Sequence, residues 1–222
     1  MKCFKLDTIL LHMNKIFFVV FLLLFTQGAI ADPMVERVSE IEESWVDTRE
    51  SESATERKNV FLQLVDDISD VVVAFPQQAE PLIMKSAILL TMAEDASSFV
   101  ALGLVNEAKD LLQQAIGIDP EAREGSALVT MGVLYYKVPG WPVAFGDDGE
   151  AETYLLKALE VNPKGVASNY FYAEFLLEQG KAEEAMSYLN KAINANLDPK
   201  GTSFKTQLKQ KAKAKAALDK LS

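Results

Sequence analysis

The chain has 222 residues and a formal net charge of −10, with one cysteine and one histidine. This length allows one domain, or two small ones, with a sizeable apolar core. Cys3 and His12 both lie within residues 1–31, a segment that we expect to be removed. The remaining chain then has no thiol and no imidazole, which excludes Cys/His zinc sites, Ser-His-Asp triads and Cys-His pairs. We therefore predict no metal site, no other cofactor and no enzymatic activity.

Residues 13–31, MNKIFFVVFLLLFTQGAIA, are typical of a secretory signal peptide. Lys15 precedes an apolar run of ten residues, and the small residues Ala29 and Ala31 follow it. A bilayer-spanning helix needs about 20 apolar residues. We expect cleavage after Ala31, a periplasmic location and no stable membrane insertion afterwards, with a retained anchor as the alternative. Met13 is an alternative start of the chain.

Acidic side chains dominate once residues 1–31 are removed, with 31 acidic and 19 basic residues remaining. The basic residues gather at the C-terminus, where residues 200–222 hold seven lysines and one aspartate, a net charge of +6. Residues 32–199 therefore carry a net charge of −18. A body this acidic repels nucleic acid, so we expect none as a partner.

Hydrophobic periodicity predicts helices along the whole of the remaining chain. Residues 32–76 are expected to form a degenerate helical pair, residues 77–200 better-formed pairs, and residues 201–222 a basic helix that caps the C-terminal end. The alternative for this last helix is a surface for anionic lipid or an acidic partner. The predicted helices span residues 34–47, 58–75, 78–101, 104–118, 124–138, 149–161, 166–179, 182–195 and 201–220.

Three segments share the pattern Ala-x3-Leu-x2-Ala, followed by a residue that ends the helix. They begin at Ala108, Ala151 and Ala185. Spacings of four and three residues put the shared side chains on one helical face, and the small alanines allow two helices to approach closely. The last two segments are 34 residues apart, while the preceding intervals, the first counted from Leu64, are 44 and 43 residues. The first two intervals exceed the 34-residue spacing by ten and nine residues. We place the ten extra residues in a lengthened helix over residues 78–101 and the nine in a loop at residues 138–149.

These segments, with Gly132 and Tyr135 in the helix that precedes the second one, resemble the tetratricopeptide repeat. The resemblance covers about residues 90–199 well and residues 34–89 poorly. It implies an all-α fold, a right-handed solenoid of three to four helical hairpins with a C-terminal capping helix. It also implies that the first helix of each pair lines a concave surface. By position, the residues facing that groove are Val129, Val133, Tyr136, Tyr170, Glu174 and Leu177.

The loop VPGWPVAFGDDG, residues 138–149, interrupts the second of the three well-matched pairs. Pro139 and Pro142 fix the backbone on both sides of Trp141 and so stiffen the turn that presents its indole. Asp147 or Asp148 stands where the next helix should begin and can accept that helix's free N–H groups. The alternative of a cation site is weaker, since GDDGE lacks the alternating oxygen ligands of a calcium loop.

Two interpretations remain open for Trp141 and Phe145. In the first, the loop folds back and buries both rings on the adjacent hairpin; in the second, it holds them over the groove. The two are not exclusive. The second interpretation gives a candidate binding site for a protein segment or small ligand. Its residues are Tyr136, Trp141, Phe145, Tyr170 and Glu174.

The loop is similar to that of a group of exported bacterial tetratricopeptide proteins with a YY-x-VPGWP-x-x-FGDD signature. A more distant resemblance is to the tetratricopeptide component of periplasmic TRAP-type solute transporters, from which this chain differs in lacking a lipid-anchoring cysteine. The exported group implies no particular activity, and the repeat architecture itself favours a non-enzymatic scaffold. The second resemblance implies an auxiliary transport subunit that binds a small hydrophobic ligand or docks a solute-binding protein. A third hypothesis is an enzyme that uses Asp147, Asp148 and Glu174 alone. It requires two carboxyls about 5–10 Å apart across a sugar, which adjacent aspartates at a helix start do not favour.

Overall fold

The computed structural model describes residues 32–49, 53–199 and 203–221. The chain divides into two compact units, Met1–Glu36 and Arg37–Ser222. Of the first unit only residues 32–36 are described, and there the carboxylate of Asp32 accepts a hydrogen bond from the backbone N–H of Met34 at 2.9 Å. The predicted signal segment, residues 1–31, lies outside the described residues, and its cleavage stays a prediction.

Nine helices and no strand are found within the described ranges, so the prediction of an all-α fold is confirmed for that part of the chain. None of these helices is long and apolar enough to cross a membrane. Most begin and end within a few residues of their predicted limits. They are α1 (Pro33–Thr48), α2 (Ala54–Ala74), α3 (Ala79–Glu94), α4 (Ser98–Ile118), α5 (Ala122–Lys137), α6 (Asp148–Val161), α7 (Val166–Glu178), α8 (Ala182–Asn194) and α9 (Phe204–Leu221).

The helices from α3 to α8 pack as three hairpins, α3 with α4, α5 with α6 and α7 with α8. The repeated Ala-x3-Leu-x2-Ala segments form the inner face of the second helix in each hairpin, and none of their nine side chains retains exposed surface. Each buried leucine contributes about 1.5–3 kcal/mol to stability. The nine residues are Ala108, Leu112, Ala115, Ala151, Leu155, Ala158, Ala185, Leu189 and Ala192.

The prediction of one long helix over residues 78–101 is wrong. Helix α3 ends at Glu94, and α4 begins at Ser98 and runs for 21 residues, so the excess of the first interval lengthens α4 instead. Asp95 at the break contacts a neighbouring helix. Its carboxylate pairs with the guanidinium of Arg57 in α2 at 3.1 Å, which holds the turn against the neighbouring helix.

Helix α1 contacts helices from more than one hairpin. The indole N–H of Trp45 donates a hydrogen bond to Thr91 Oγ1 in α3 at 3.0 Å. The Glu42 carboxylate pairs with the guanidinium of Arg123 in α5 at 2.7 Å. The sequence predicted α1 only as the partner of α2, whereas its side chains also bond to the first helices of two successive hairpins.

Helix α9 packs on α7 and α8, which is the position expected of a cap. Ala214 is fully buried there. Lys211 donates a hydrogen bond to the carbonyl oxygen of Ala195 at 2.8 Å and so satisfies the end of α8. Lys215 pairs with Asp219 on the exposed side of α9 at 3.1 Å.

Candidate functional site

The segment between α5 and α6 forms a loop that is closed at its base. The backbone N–H of Gly146 donates to the Pro139 carbonyl oxygen at 2.9 Å, and that of Asp147 donates to the Tyr135 carbonyl oxygen at 2.9 Å. A Cβ at Gly146 would lie 1.9 Å from the carbonyl oxygen of Val138. Only glycine permits so close an approach of the two backbones. These bonds and this close approach hold together the two ends of the loop, residues 138–149.

Trp141 stands at the tip of the loop, and its side chain is 90% exposed. The peptide bond from Trp141 to Pro142 is cis. The backbone N–H of Val143 donates to the Gly140 carbonyl oxygen at 3.1 Å, so the tip is itself a hydrogen-bonded turn. Val143 is 66% exposed as well. The loop therefore holds two apolar side chains in water on a constrained backbone, and tryptophan is among the residues most enriched in binding hot spots.

Phe145, four residues beyond Trp141, is half-buried against the helices. Its ring meets that of Tyr135 edge-on, with the ring centroids 5.5 Å apart. The Lys109 ammonium lies 4.4 Å from the Phe145 centroid, and Tyr135 also stacks on Tyr154 at 5.6 Å. Phe145 is therefore partly buried against these helices, while Trp141 is covered by nothing in the described chain, and the place of both residues in a binding site stays a prediction.

The paired aspartates have structural roles. The Asp147 side chain accepts a hydrogen bond from the backbone N–H of Glu150 at 2.9 Å and so caps the start of α6. The Asp148 carboxylate accepts from the side-chain amide of Gln179, after α7, at 2.9 Å. The helix-capping prediction is confirmed for Asp147. Within the described ranges no three acidic, histidine or cysteine side chains are grouped so that they could hold a metal ion.

Three of the five candidate site residues lie together on α5 and α7. The Tyr170 hydroxyl donates a hydrogen bond to the Glu174 carboxylate. The Tyr136 ring lies 5.7 Å from that of Phe175, and the Tyr136 hydroxyl is buried without a hydrogen-bond partner among the described residues. Tyr170 is only 4% exposed. The structure therefore brings Tyr136, Tyr170 and Glu174 together and keeps the two loop residues outside that cluster.

The two tyrosine hydroxyls of the cluster are held in their protonated form. Burial raises the pKa of the Tyr136 hydroxyl above its ordinary value, and the charge of Glu174 raises it further. Burial also raises the pKa of Tyr170, with the hydrogen bond to Glu174 as the second cause. Both hydroxyls remain protonated at neutral pH, so the tyrosines supply packing and hydrogen bonds instead of a base.

A second concave region, which sequence analysis missed, lies between α1, α3, α5 and α9. It is a cavity of about 410 Å³ lined by Glu42, Trp45, Arg123, Gln210 and other residues. At its edge Arg123, Glu124 and Gly125 adopt left-handed backbone conformations, with φ of 49°, 60° and 76°. Such conformations strain residues other than glycine and concentrate at functional sites. The one sequence signal for this region was the position of Trp45 on the apolar face of α1.

Comparison with known proteins agrees with the repeat pattern. The tetratricopeptide repeat family model matches residues 143–208. A solved structure of a thermophilic tetratricopeptide protein from Thermus thermophilus superposes with a TM-score of 0.55, at 18% identity, over 82% of this chain and 88% of that one. The chain has a tetratricopeptide-type fold. No match was found among curated proteins. At 18% identity the likeness extends to the fold alone, and the narrower resemblances of the loop stay predictions.

Proposed function

We propose that this chain is an exported, non-enzymatic scaffold that binds a protein partner through the tip of the loop. Tetratricopeptide folds serve protein interaction, because stacked hairpins offer extended surfaces and little chemistry. The observation that carries the proposal is Trp141, which is 90% exposed on a hydrogen-bonded turn. Tyr136 lies near the end of α5, before the loop, while Tyr170 and Glu174 lie on α7 and form with it a separate cluster.

The energetics favour the loop as a binding element. A large apolar side chain contributes about 1.5–3 kcal/mol when it is fully buried, and the costs of association are subtracted from this gain. The hydrogen bonds at the base of the loop, from Gly146 to Pro139 and from Asp147 to Tyr135, fix the tip before a partner arrives. A prearranged loop loses little conformational entropy on binding, so more of that energy appears as affinity.

The acidic residues near the loop and on α7 already make structural hydrogen bonds, which supports a non-enzymatic function. Asp147 caps α6, Asp148 binds Gln179, and Glu174 accepts from Tyr170. None of the three carboxylates proposed for acid–base work is therefore left without a structural task. The transport-subunit alternative, which binds a small hydrophobic ligand or docks a solute-binding protein, would be supported by a buried pore beside the loop. Trp141 faces solvent and Phe145 packs on Tyr135, so we do not adopt it.

Export is supported by the position of the first described helix. The segment 13–31 ends at Ala31, directly before Asp32, and α1 begins at Pro33. Cleavage there would release a chain whose first described residues are already helical. N-terminal sequencing of the protein recovered from the periplasm should give Asp32 as the first residue. A mature protein that begins at Met1 or Met13 would contradict cleavage.

The partner site is tested by a comparison of two exposed aromatic residues. Trp141→Ala is expected to abolish recovery of a protein that the wild-type chain captures from a periplasmic extract. Phe99→Ala, at a position 91% exposed on α4, is the matched control and should leave recovery unchanged. Equal recovery by all three proteins, each shown to be folded by circular dichroism, would place the binding site elsewhere.

A further inference from the structure

A cavity between α1, α7 and α9 is lined by four cationic side chains and, among the described residues, by no acidic one. Its volume is about 290 Å³. Lys205, Lys209 and Lys213 line it from α9, and Arg49, directly after the end of α1, lines it as well. All four residues are exposed, so a ligand can reach them from solvent. We call this site the basic cavity.

The positive charge of the basic cavity is only weakly compensated by the chain itself. Within the described ranges neither Arg49 nor Lys213 has an ion pair. Lys205 pairs with Asp47 at 3.4 Å, but the two side chains are 68% and 65% exposed, and such a pair contributes about 0–1 kcal/mol. Residues 32–199 carry a net charge of −18, so this cationic site is a local exception. A concave wall of one charge attracts a ligand of the opposite charge.

The three lysines form a regular row along α9. They are spaced four residues apart, which puts them on one face of the helix. At about 1.5 Å of rise per residue, successive lysines lie about 6 Å apart along the helix axis. An extended peptide presents every second side chain on one face, at intervals of about 6.6 Å. The row therefore matches carboxylates at alternate residues of an extended segment, whereas one small anion does not span its length of about 12 Å.

The uncharged part of the wall also suits a peptide. The rings of Tyr170 and Phe171 contact each other edge-on, with their centroids 5.0 Å apart, and Val46 adds a third apolar side chain. Thr206 supplies a hydroxyl that can bond to a peptide backbone. A lipid bilayer is a broad surface that does not enter a cavity of this size, and the acidic charge of the rest of the chain repels nucleic acid.

We propose that the basic cavity binds an extended acidic segment of a partner protein, with carboxylates at alternate residues. These carboxylates pair with the lysine row of α9, and the guanidinium of Arg49 takes a further one. An apolar side chain of the segment lies against Phe171. This inference goes beyond the role proposed for the loop and is independent of it, since it requires no contact with Trp141.

Isothermal titration calorimetry with terminally blocked peptides tests the proposal. The probe alternates glutamate with threonine, a second peptide of the same composition has its glutamates in one block, and a third has glutamine in place of glutamate. We expect saturable binding of the alternating peptide that weakens as salt is added. Binding should be about threefold or more weaker for the block peptide and absent for the glutamine peptide. Trp141→Ala should change none of these results, which separates this test from that of the loop.

Matched charge variants connect the binding to the basic cavity. Lys213→Gln and Arg49→Gln should each weaken binding of the alternating peptide by about two- to fivefold, as the loss of one exposed ion pair implies. Lys220→Gln removes the same charge from an exposed position of α9 outside the cavity and should leave binding unchanged. Circular dichroism checks that each variant is folded.

Four outcomes would overturn the proposal. They are no saturable binding of the alternating peptide, equal binding of the block peptide, the same loss in Lys220→Gln as in Lys213→Gln, and binding of phosphatidylglycerol vesicles in place of the peptide. The third would assign binding to the overall charge of α9, and the fourth would make this helix a lipid surface.

Discussion

Gly132 of α5 lies directly against Leu155 of α6. A Cβ at position 132 would be 2.5 Å from Leu155 Cγ and 3.2 Å from the carbonyl oxygen of Ala151. Both distances are shorter than van der Waals contact allows, so the two helices are as close as a glycine permits. Gly132, the small residue of this repeat, therefore sets the distance between α5 and α6. The loop that joins these two helices depends on that distance.

Gly132→Ala is expected to lower the free energy of unfolding by about 1–3 kcal/mol, because the added methyl group must displace Leu155 or separate the helices. Gly103→Ala is the matched control, since nothing lies within 4 Å of a Cβ at that helical position. It should raise the free energy of unfolding by about 0.5–1 kcal/mol through the better helix propensity of alanine. Urea unfolding followed by circular dichroism measures both. Equal effects of the two changes would contradict the close contact.

The two aromatic residues of the loop should differ in their effect on stability. Phe145→Ala removes an edge-on ring contact with Tyr135 and the contact with Lys109, and we expect a loss of about 1–3 kcal/mol. Trp141→Ala removes a side chain that is 90% exposed and should change stability by less than about 0.5 kcal/mol. Thermal and urea unfolding provide the comparison. A destabilisation by Trp141→Ala as large as that by Phe145→Ala would show that the indole is packed.

Stability should decrease at alkaline pH because of the buried tyrosines. Burial, and then the charge of Glu152, raises the pKa of the Tyr172 hydroxyl to about 12; Tyr136 and Tyr170 are raised in the same direction. An unfolded tyrosine ionises near pH 10. The unfolded state thus loses protons first, so the stabilisation is complete below about pH 10 and is lost as the pH rises toward the folded pKa.

Urea midpoints measured at about pH 8 and about pH 11 test this dependence. Tyr172→Phe should reduce the difference between the two midpoints, because the ring packing is kept while the titrating hydroxyl is removed. An unchanged difference in that variant would assign the alkaline loss of stability to other groups, such as the surface lysines.

The ion pair between Glu42 and Arg123 should anchor α1. The Glu42 side chain is 7% exposed and that of Arg123 is 23% exposed, so Arg123→Gln leaves a nearly buried carboxylate without its cation. We expect a loss of about 2 kcal/mol or more and faster amide exchange in residues 37–48. Arg37→Gln is the control, because its pairs with Glu40 and Asp67 are exposed and such pairs contribute about 0–1 kcal/mol.

A double variant completes that test. Glu42→Gln combined with Arg123→Gln removes both charges and should recover part of the stability that Arg123→Gln alone loses. Additive losses in the double variant would mean that the two side chains act independently.

The repeat positions could be predicted from the sequence because they depend on local spacing. Ala151, Leu155 and Ala158 lie four and three residues apart, and any helix formed there must present them on one face. The turn at Asp95 could not be predicted in this way. Local pattern allowed the helix to continue, and the pair with Arg57, 38 residues away, belongs to the tertiary structure.

The candidate site also contains some features that the local sequence predicts and others that only the tertiary structure decides. Asp147 was identified correctly because capping is decided by its immediate neighbours. Trp141 and Phe145 stand four residues apart in one motif, yet one faces solvent and the other packs on Tyr135. The cavity beside α1 could not be predicted, since the partners Glu42 and Arg123 are 81 residues apart in the chain. Only the fold brings such residues together.

The most direct test of the central claim is site-specific photo-crosslinking of the exported protein. A benzophenone-bearing amino acid is introduced at position 141 in one variant and at position 99 in another, since both positions are about 90% exposed. We expect one discrete covalent adduct to a partner protein at position 141 and none at position 99. The absence of an adduct at position 141, or the same adducts at both positions, would contradict the account of Trp141 as the docking residue.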